Sequence, residues 1–136
     1  MNSYLYHLQL NINFDNLDFY KGLMEFMGWN VIFEIDTVIG YKNKTNGDLW
    51  FVKSENLEHT NYDSIGVNHI SLRVDEISNV DEIKNYLETN NTQMLFNTPK
   101  HRPEFSHKPD QTYYQIMFES PDKILFEIVY IGEIQK

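Results

Sequence analysis

The stretch that decides the fold is "VNHISLRV", residues 67–74, which places a histidine inside an alternating β-strand pattern. A near copy, "LYHLQLNI", occupies residues 5–12. In both segments, apolar side chains recur at every second position, which is the period of a strand with one buried face. His7 and His69 lie on the less apolar face of their strands. Because the same unusual pattern occurs twice, the sequence indicates a duplicated unit.

The residues after each histidine strand repeat one order of elements. Apolar residues recur at three- and four-residue steps over 15–28, where Gly28 is the predicted C-cap, and again after Ser78, the predicted N-cap of a second helix. The predicted strands are 5–12, 30–36, 38–42, 49–54, 67–74, 92–97, 112–119 and 124–131. The pattern predicts an α+β fold of two βαβββ modules.

Polar segments connect these elements. The modules cover residues 4–55 and 66–132 and are expected to form a single domain over 1–136. Asn46 and Gly47 carry the signature of a tight hairpin turn. Residues 98–111 form an irregular insert with three of the four prolines, and a loop of this length is usually functional or mobile.

The composition excludes several classes of protein. A net charge of −9 disfavours nucleic acid and anionic membrane surfaces as partners. The chain has no cysteine, so it has no disulfide, no thiolate nucleophile and no cysteine-based zinc site. No apolar run approaches the roughly 20 residues of a membrane helix. We therefore expect a soluble, cytoplasmic protein.

The paired modules resemble the vicinal oxygen chelate superfamily, which includes glyoxalase I, extradiol dioxygenases, fosfomycin-modifying enzymes and bleomycin-resistance proteins. The segments that carry the resemblance are "YHLQLNI", "NLDFYKGLMEFMGW", "VNHISLRV" and "YYQIMFESPDKILFEIV". The resemblance implies that the two modules form a cupped eight-stranded mixed sheet with the helices packed outside. It also implies a homodimer, since many members of this superfamily form homodimers.

The same resemblance implies a divalent metal ion held by His7, His69 and Glu127. The residues support this independently, because Glu127 is the sole charge in "ILFEIVYI" and a carboxylate there is costly unless it is paired or coordinating. Two imidazoles and one carboxylate suit Mn, Fe, Ni, Co or Zn. Glu127 could also detach and serve as a catalytic base. The alternative is hydrogen-bonded strand histidines on a scaffold without metal.

The position of a fourth ligand, by the same alignment, falls on Trp50, which cannot bind a metal. The string "NGDLWFVKSE" resembles the corresponding strand of fosfomycin-modifying thiol transferases, which use three protein ligands. Gln9 departs from that pattern, because those enzymes tend to have threonine there. Trp50 is either a core residue or an aromatic wall that stacks on a substrate.

Other side chains are candidates for binding a small-molecule substrate. The full set is Trp50, Gln9, Arg73, Tyr113, Gln115, Met117, His101 and Arg102. The basic residues of the 98–111 loop suit an anionic substrate, although a solvated loop is the favoured explanation. Arg73 could orient an anion or pair with an acidic neighbour, and the strand residues could simply pack.

Three functions follow from these expectations. The leading one is a metal-dependent enzyme with an open metal site, acting as a lyase, isomerase, thiol transferase or dioxygenase. The alternative is a metal-free protein of the bleomycin-resistance type, which sequesters a cationic drug in an aromatic cleft. A third is a scaffold with regulatory or interaction duties.

Overall fold

The computed structural model describes residues 1–45 and 47–134. The chain divides into two compact units, Met1–His59 and Thr60–Lys136, and each unit contains one module. The division falls within the predicted polar connection of residues 55–66. Asn46 of the predicted hairpin turn lies outside the described residues, while Gly47 beside it has a positive φ of 120°.

Unit 1 is a four-stranded mixed sheet with one helix. Its elements are β1 (His7–Ile12), α1 (Leu17–Phe26), β2 (Asn30–Ile35), β3 (Val38–Lys42) and β4 (Asp48–Lys53), with a 3-10 turn at Phe14–Asn16. The strand order is β1-β4-β3-β2. β1 runs parallel to β4, and the other neighbours are antiparallel. The first and last strands of the module are therefore adjacent.

Local sequence signals set the limits of α1. Asn13 accepts a hydrogen bond from the Asp15 backbone N–H at 3.0 Å and so caps the preceding turn. Gly28 has a φ of 81° at the other end, where glycine avoids the cost of a left-handed backbone. The apolar stripe of the helix is buried, and the Tyr20 ring lies 4.9 Å from the ring of Phe51 on β4. This contact joins the helix to the sheet.

Unit 2 is also a four-stranded mixed sheet with one helix. Its elements are β5 (Ile70–Val74), α2 (Ile77–Thr89), β6 (Lys100–His101), β7 (Gln111–Glu119) and β8 (Leu125–Glu133), with a 3-10 turn at Pro103–Phe105. The strand order is β5-β8-β7-β6, and β5 runs parallel to β8. Phe118 and Phe126 stack at 5.6 Å, and the core side chains of α2 are Val80, Ile83 and Leu87.

The predicted strand at 92–97 is wrong. Leu95 donates one backbone hydrogen bond to the Met117 carbonyl at 2.8 Å, but Phe96 and Asn97 follow with φ of 57° and 58°. This left-handed backbone cannot continue a strand. The strand beside β7 is instead the short β6, which lies inside the segment predicted as a loop.

The predicted N-cap of the second helix is also wrong. Helix α2 begins at Ile77, so Ser78 lies within its first turn and Glu76 is the N-cap. The Glu76 backbone N–H donates to the Asn79 side-chain oxygen at 3.2 Å. This reciprocal contact fixes the start of the helix two residues earlier than the Ser78 pattern predicts.

The predicted fold class is confirmed. Each βαβββ module forms a four-stranded mixed sheet with one helix packed against it, which is an α+β architecture. None of the helices in residues 1–45 and 47–134 is long and apolar enough to cross a membrane.

Candidate functional site

The polar centre of unit 2 is the carboxylate of Glu127. This residue lies on β8 between Ser71 of β5 and Met117 of β7, and only 3% of its surface is exposed. The Tyr113 hydroxyl donates to Glu127 Oε1 at 2.7 Å, and the Gln115 amide nitrogen donates to Oε2. Both oxygens therefore have a donor, which offsets the cost of burying the charge.

Burial and the bonded Glu127 carboxylate raise the pKa of Tyr113 well above its ordinary value, in that order of importance. The Ser71 hydroxyl opposes the increase by hydrogen bonding to Tyr113. Tyr113 therefore keeps its proton and remains a neutral donor to Glu127. Tyr113 and Gln115, two of the candidate substrate-binding residues, lie on one face of β7 and donate to the same carboxylate.

His69 lies immediately before β5, at the edge of the same face. Its Nε2 is 4.0 Å from Glu127 Oε1, and 38% of the imidazole side chain is exposed. Its Nδ1 is 2.8 Å from the side-chain oxygen of Asn68. The structure thus brings His69 and Glu127 together within unit 2, with the imidazole nearer to solvent than the carboxylate.

Unit 1 presents a cavity of about 450 Å³ on the face that bears His7. Its lining residues are Tyr6, His7, Gln9, Val38, Asp48, Trp50 and Val52. The lining includes one imidazole, one carboxylate and the aromatic rings of Tyr6 and Trp50. This combination can bind a ligand that has both a polar group and a flat apolar part.

Trp50 lies flat against the backbone of β3. A β-carbon built on Gly40 would lie 2.7 Å from two atoms of the indole ring, so only glycine leaves room for the indole in this position. The Phe33 ring, from the partner position on β2, has its centroid 5.8 Å from the indole. The tryptophan is therefore held as a fixed wall of the cavity.

Sequence reasoning missed Asp48. In the parallel pairing of β1 with β4, Asp48 is the partner of His7, so the two side chains lie on the same face of the sheet. Asp48 is also two residues before Trp50, at the start of the strand. Asp48 could have been found by pairing the first and last strands of the module in parallel, because this pairing makes Asp48 the partner of His7.

The chemistry of the donor set fits a divalent ion. A carboxylate offers about four lone-pair positions, so Glu127 can coordinate an ion while it accepts its two hydrogen bonds. Two atoms bound at about 2.1 Å to one ion in a tetrahedral site lie about 3.4 Å apart. The separation of His69 Nε2 from Glu127 Oε1 is 4.0 Å, so the two atoms must move closer together to share an ion. Among the described residues, no three His, Asp or Glu side chains are grouped so that they could hold a metal ion.

The structure turns His101 away from Glu127. His101 pairs with Tyr114 across β6 and β7, and its Nδ1 contacts the Thr112 hydroxyl at 2.8 Å. Tyr114 in turn donates to Asp81 on α2 at 2.8 Å. His101 therefore lies on the helix face of the sheet.

The two predicted arginines are bound to the protein itself. Arg73 donates to the Ile131 carbonyl at 2.8 Å, which links β5 to β8. Arg102 donates to Glu104 at 2.6 Å and lies 4.7 Å above the Phe105 ring. The hydrogen bond from Arg102 holds the pKa of the Glu104 carboxyl below its usual value.

The two remaining predicted side chains have different surroundings. Met117 is the partner of Glu127 across β7 and β8, so it shares the face of the carboxylate. Gln9 donates to the Asn11 side chain at 3.0 Å and lines the unit 1 cavity. His59 is exposed at the end of unit 1.

The sequence matches no protein-family model and no curated protein. Solved structures, however, share its fold. A candidate glyoxalase from Bacillus halodurans has a TM-score of 0.69 at 22% identity, covering 93% of this chain and 94% of that one. A glyoxalase/bleomycin resistance protein/dioxygenase from Alicyclobacillus acidocaldarius has a TM-score of 0.65 at 14% identity, with 96% and 93% covered.

A lactoylglutathione lyase from Agrobacterium tumefaciens has a TM-score of 0.63 at 14% identity, covering 95% of this chain and 94% of that one. The chain therefore has the fold of the glyoxalase/bleomycin resistance/dioxygenase proteins. This is the vicinal oxygen chelate fold, and the resemblance seen in the sequence motifs is confirmed at that level.

Proposed function

We propose that the protein is a metal-dependent enzyme acting on a small molecule whose oxygen atoms bind at an open metal position. His7, His69 and Glu127 would hold the ion. The observation that carries the proposal is Glu127, a buried carboxylate that two neutral donors orient and that lies 4.0 Å from an imidazole nitrogen. Such a group is a frequent mark of a functional site, because burying it only for structure is costly.

The residues around Glu127 have defined tasks in this proposal. Gln115 and Tyr113 fix the orientation of the carboxylate, and Tyr113 holds its proton at the hydroxyl that faces Oε1. Glu127 is then the nearest base for a substrate proton at this face. When bound, a divalent ion supplies Lewis-acid polarisation of a carbonyl, epoxide, phosphonate or diol. Isomerase, lyase, thiol transferase and dioxygenase reactions all fit this arrangement.

Metal titration tests the proposal. Apo-protein is titrated with Mn, Fe, Ni, Co and Zn by calorimetry, and metal content is measured by elemental analysis. We expect one ion per site in the wild type and a large loss in His7→Ala, His69→Ala and Glu127→Ala. His59→Ala is the matched control, since this histidine lies outside both sheets. Absence of binding in the wild type, or its retention in the three variants, overturns the proposal.

A second function has its own supporting observation. The unit 1 cavity of about 450 Å³ has the fixed Trp50 as a wall and Asp48 as a carboxylate. A metal-free protein that sequesters a cationic aromatic compound would use these two features, with the net charge of −9 favouring a cation. In the presence of a chelator, such a compound should raise the melting temperature of the wild type but not that of Trp50→Ala, and this result would support the second function.

We also propose that the protein pairs as a homodimer and acts in the cytoplasm. β2 is an edge strand of unit 1, and its apolar residues Val31, Ile32, Phe33 and Ile35 are exposed. An exposed apolar edge favours association with another chain. Light scattering on the purified protein would measure the mass directly, and a monomer at all concentrations would contradict the pairing.

A further inference from the structure

Asn68 contacts His69 but is not one of the proposed metal ligands. Its side-chain oxygen is 2.8 Å from His69 Nδ1. Its side-chain nitrogen donates to the Tyr62 backbone carbonyl at 2.9 Å and approaches an Asp63 carboxylate oxygen at 3.4 Å. All four residues belong to unit 2.

These contacts decide which way the amide of Asn68 points. A backbone carbonyl and a carboxylate can only accept hydrogen bonds, so the atom that faces Tyr62 and Asp63 must be the NH₂ group. The reversed amide would place its oxygen against two other oxygens. The Asn68 oxygen therefore faces the imidazole of His69.

The orientation of the amide in turn decides where the imidazole carries its proton. An amide oxygen can only accept, so the partner nitrogen, His69 Nδ1, must be the donor. In the neutral ring the other nitrogen then has its lone pair free. That nitrogen is Nε2, the atom 4.0 Å from Glu127 Oε1.

The anchor of this arrangement is at the end of the sheet. The Tyr62 hydroxyl donates to Glu119 Oε1 at 2.7 Å, and Glu119 is the last residue of β7. The carbonyl that orients Asn68 thus belongs to a residue fixed to the same sheet that carries Glu127. The loop before β5 therefore holds the Asn68 amide in one orientation.

We propose that Asn68 is a positioning residue that fixes His69 as the Nδ1–H tautomer and keeps Nε2 free to bind a ligand. The identity of that ligand as a metal ion rests on the proposed function. The tautomer itself does not, because it follows from hydrogen bonds within unit 2. His7 has Tyr6 in the corresponding place, with the two rings 5.3 Å apart, and so provides a comparison within the chain.

Nitrogen NMR of the histidine side chains tests the tautomer in metal-free protein. Long-range proton–nitrogen spectra distinguish protonated from unprotonated ring nitrogens, and His69→Gln assigns the His69 signals. We expect Nδ1–H in the wild type and a mixture of tautomers in Asn68→Leu. Asn68→Asp retains an accepting oxygen but loses the NH₂ group that donates to Tyr62 and Asp63, so we expect only a partial return to Nδ1–H. Asn68 is exposed, so these variants are expected to fold.

Metal affinity supplies a second measurement. Loss of a residue that orients a metal-binding histidine typically weakens affinity by about 10- to 100-fold. We expect this loss in Asn68→Leu and a smaller loss in Asn68→Asp. Asn85→Leu, which removes an exposed amide from α2, leaves affinity unchanged.

Two results overturn the inference. One is an Nε2–H tautomer in the wild type, and the other is an Nδ1–H tautomer that persists unchanged in Asn68→Leu. Failure of the wild type to bind any of the ions overturns the proposed function instead. The tautomer in metal-free protein still decides the role of Asn68 in that event, so the two failures are distinguishable.

Discussion

Trp50 occupies in unit 1 the sheet position that Glu127 occupies in unit 2. Trp50 is the partner of the residue two after His7, and Glu127 is the partner of the residue two after His69. The two modules therefore place an indole and a carboxylate at equivalent points of the same sheet topology. One module supplies an imidazole with a buried acid, and the other an imidazole with an aromatic wall.

The contact between Gly40 and Trp50 leads to the first prediction. A β-carbon at Gly40 would lie 2.7 Å from the indole, so Gly40→Ala must displace the ring or the strand. We expect the free energy of unfolding to fall by about 1–3 kcal/mol, the usual cost of overpacking. Chemical denaturation measures this loss, and the fluorescence of Trp50 in a Trp29→Phe background reports movement of the indole.

A double-mutant cycle isolates this contact. In a Trp50→Leu background the ring is absent, and Gly40→Ala should then cost much less. Additive effects of the two substitutions would show that the indole does not depend on the glycine.

Two tyrosine hydroxyls lead to the second prediction, because they differ in their hydrogen-bond partners. Among the described residues, the Tyr41 hydroxyl is buried with no hydrogen-bond partner, whereas Tyr114 donates to Asp81 at 2.8 Å. Tyr41→Phe should therefore raise the free energy of unfolding by about 1 kcal/mol, and Tyr114→Phe should lower it by a similar amount. Urea denaturation at pH 7 measures both, and equal signs would contradict the prediction.

The same tyrosines predict how stability depends on alkaline pH. Burial, chiefly, raises the pKa of Tyr41 and of Tyr114 from 10 to about 12. Between these values the unfolded chain has lost protons that the folded chain retains, so stability is complete below pH 10 and falls as pH rises toward 12. Each Phe variant should flatten this decline, and denaturation curves at pH 9 to 11.5 would reveal it. An unchanged slope in both variants would contradict the assignment.

Alternation along β7 puts Tyr113, Gln115 and Met117 on one face of the strand, and the pairing with β8 makes this the face of Glu127. The period of two depends only on local sequence. The sequence could not predict that Tyr113 and Gln115 meet Glu127 itself, because that depends on the register between β7 and β8. His101 shows the same limit, since a shift of one residue in the start of β6 exchanges the two faces.

The donors to Glu127 lead to the fourth prediction. Tyr113→Phe removes a hydrogen bond to a buried carboxylate and should lower the free energy of unfolding by about 1.5–3 kcal/mol. Denaturation of the metal-free protein measures this loss. In a Glu127→Gln background the charge is absent, so the same substitution should cost less. An equal cost in both backgrounds would mean that the hydroxyl does not stabilise the carboxylate.

The equivalence of Trp50 and Glu127 leads to the last prediction, which separates the two candidate functions. Trp50→Glu places a second carboxylate on the face of unit 1 that carries His7. If the protein binds a metal through His7, His69 and Glu127, this substitution should tighten binding by about tenfold or more, about 1.4 kcal/mol. Calorimetric titration of the apo-protein gives the affinity.

Trp50→Gln is the matched control, because it has the same length as glutamate and no charge. It should bind the ion no more tightly than the wild type, since an amide oxygen is a weaker ligand than a carboxylate. Both variants remove the aromatic wall, so a protein that sequesters a cationic aromatic compound should lose that binding in both. A gain in metal affinity confined to Trp50→Glu supports the enzyme. Equal metal affinity in the two variants, together with loss of the aromatic compound in both, would favour sequestration instead.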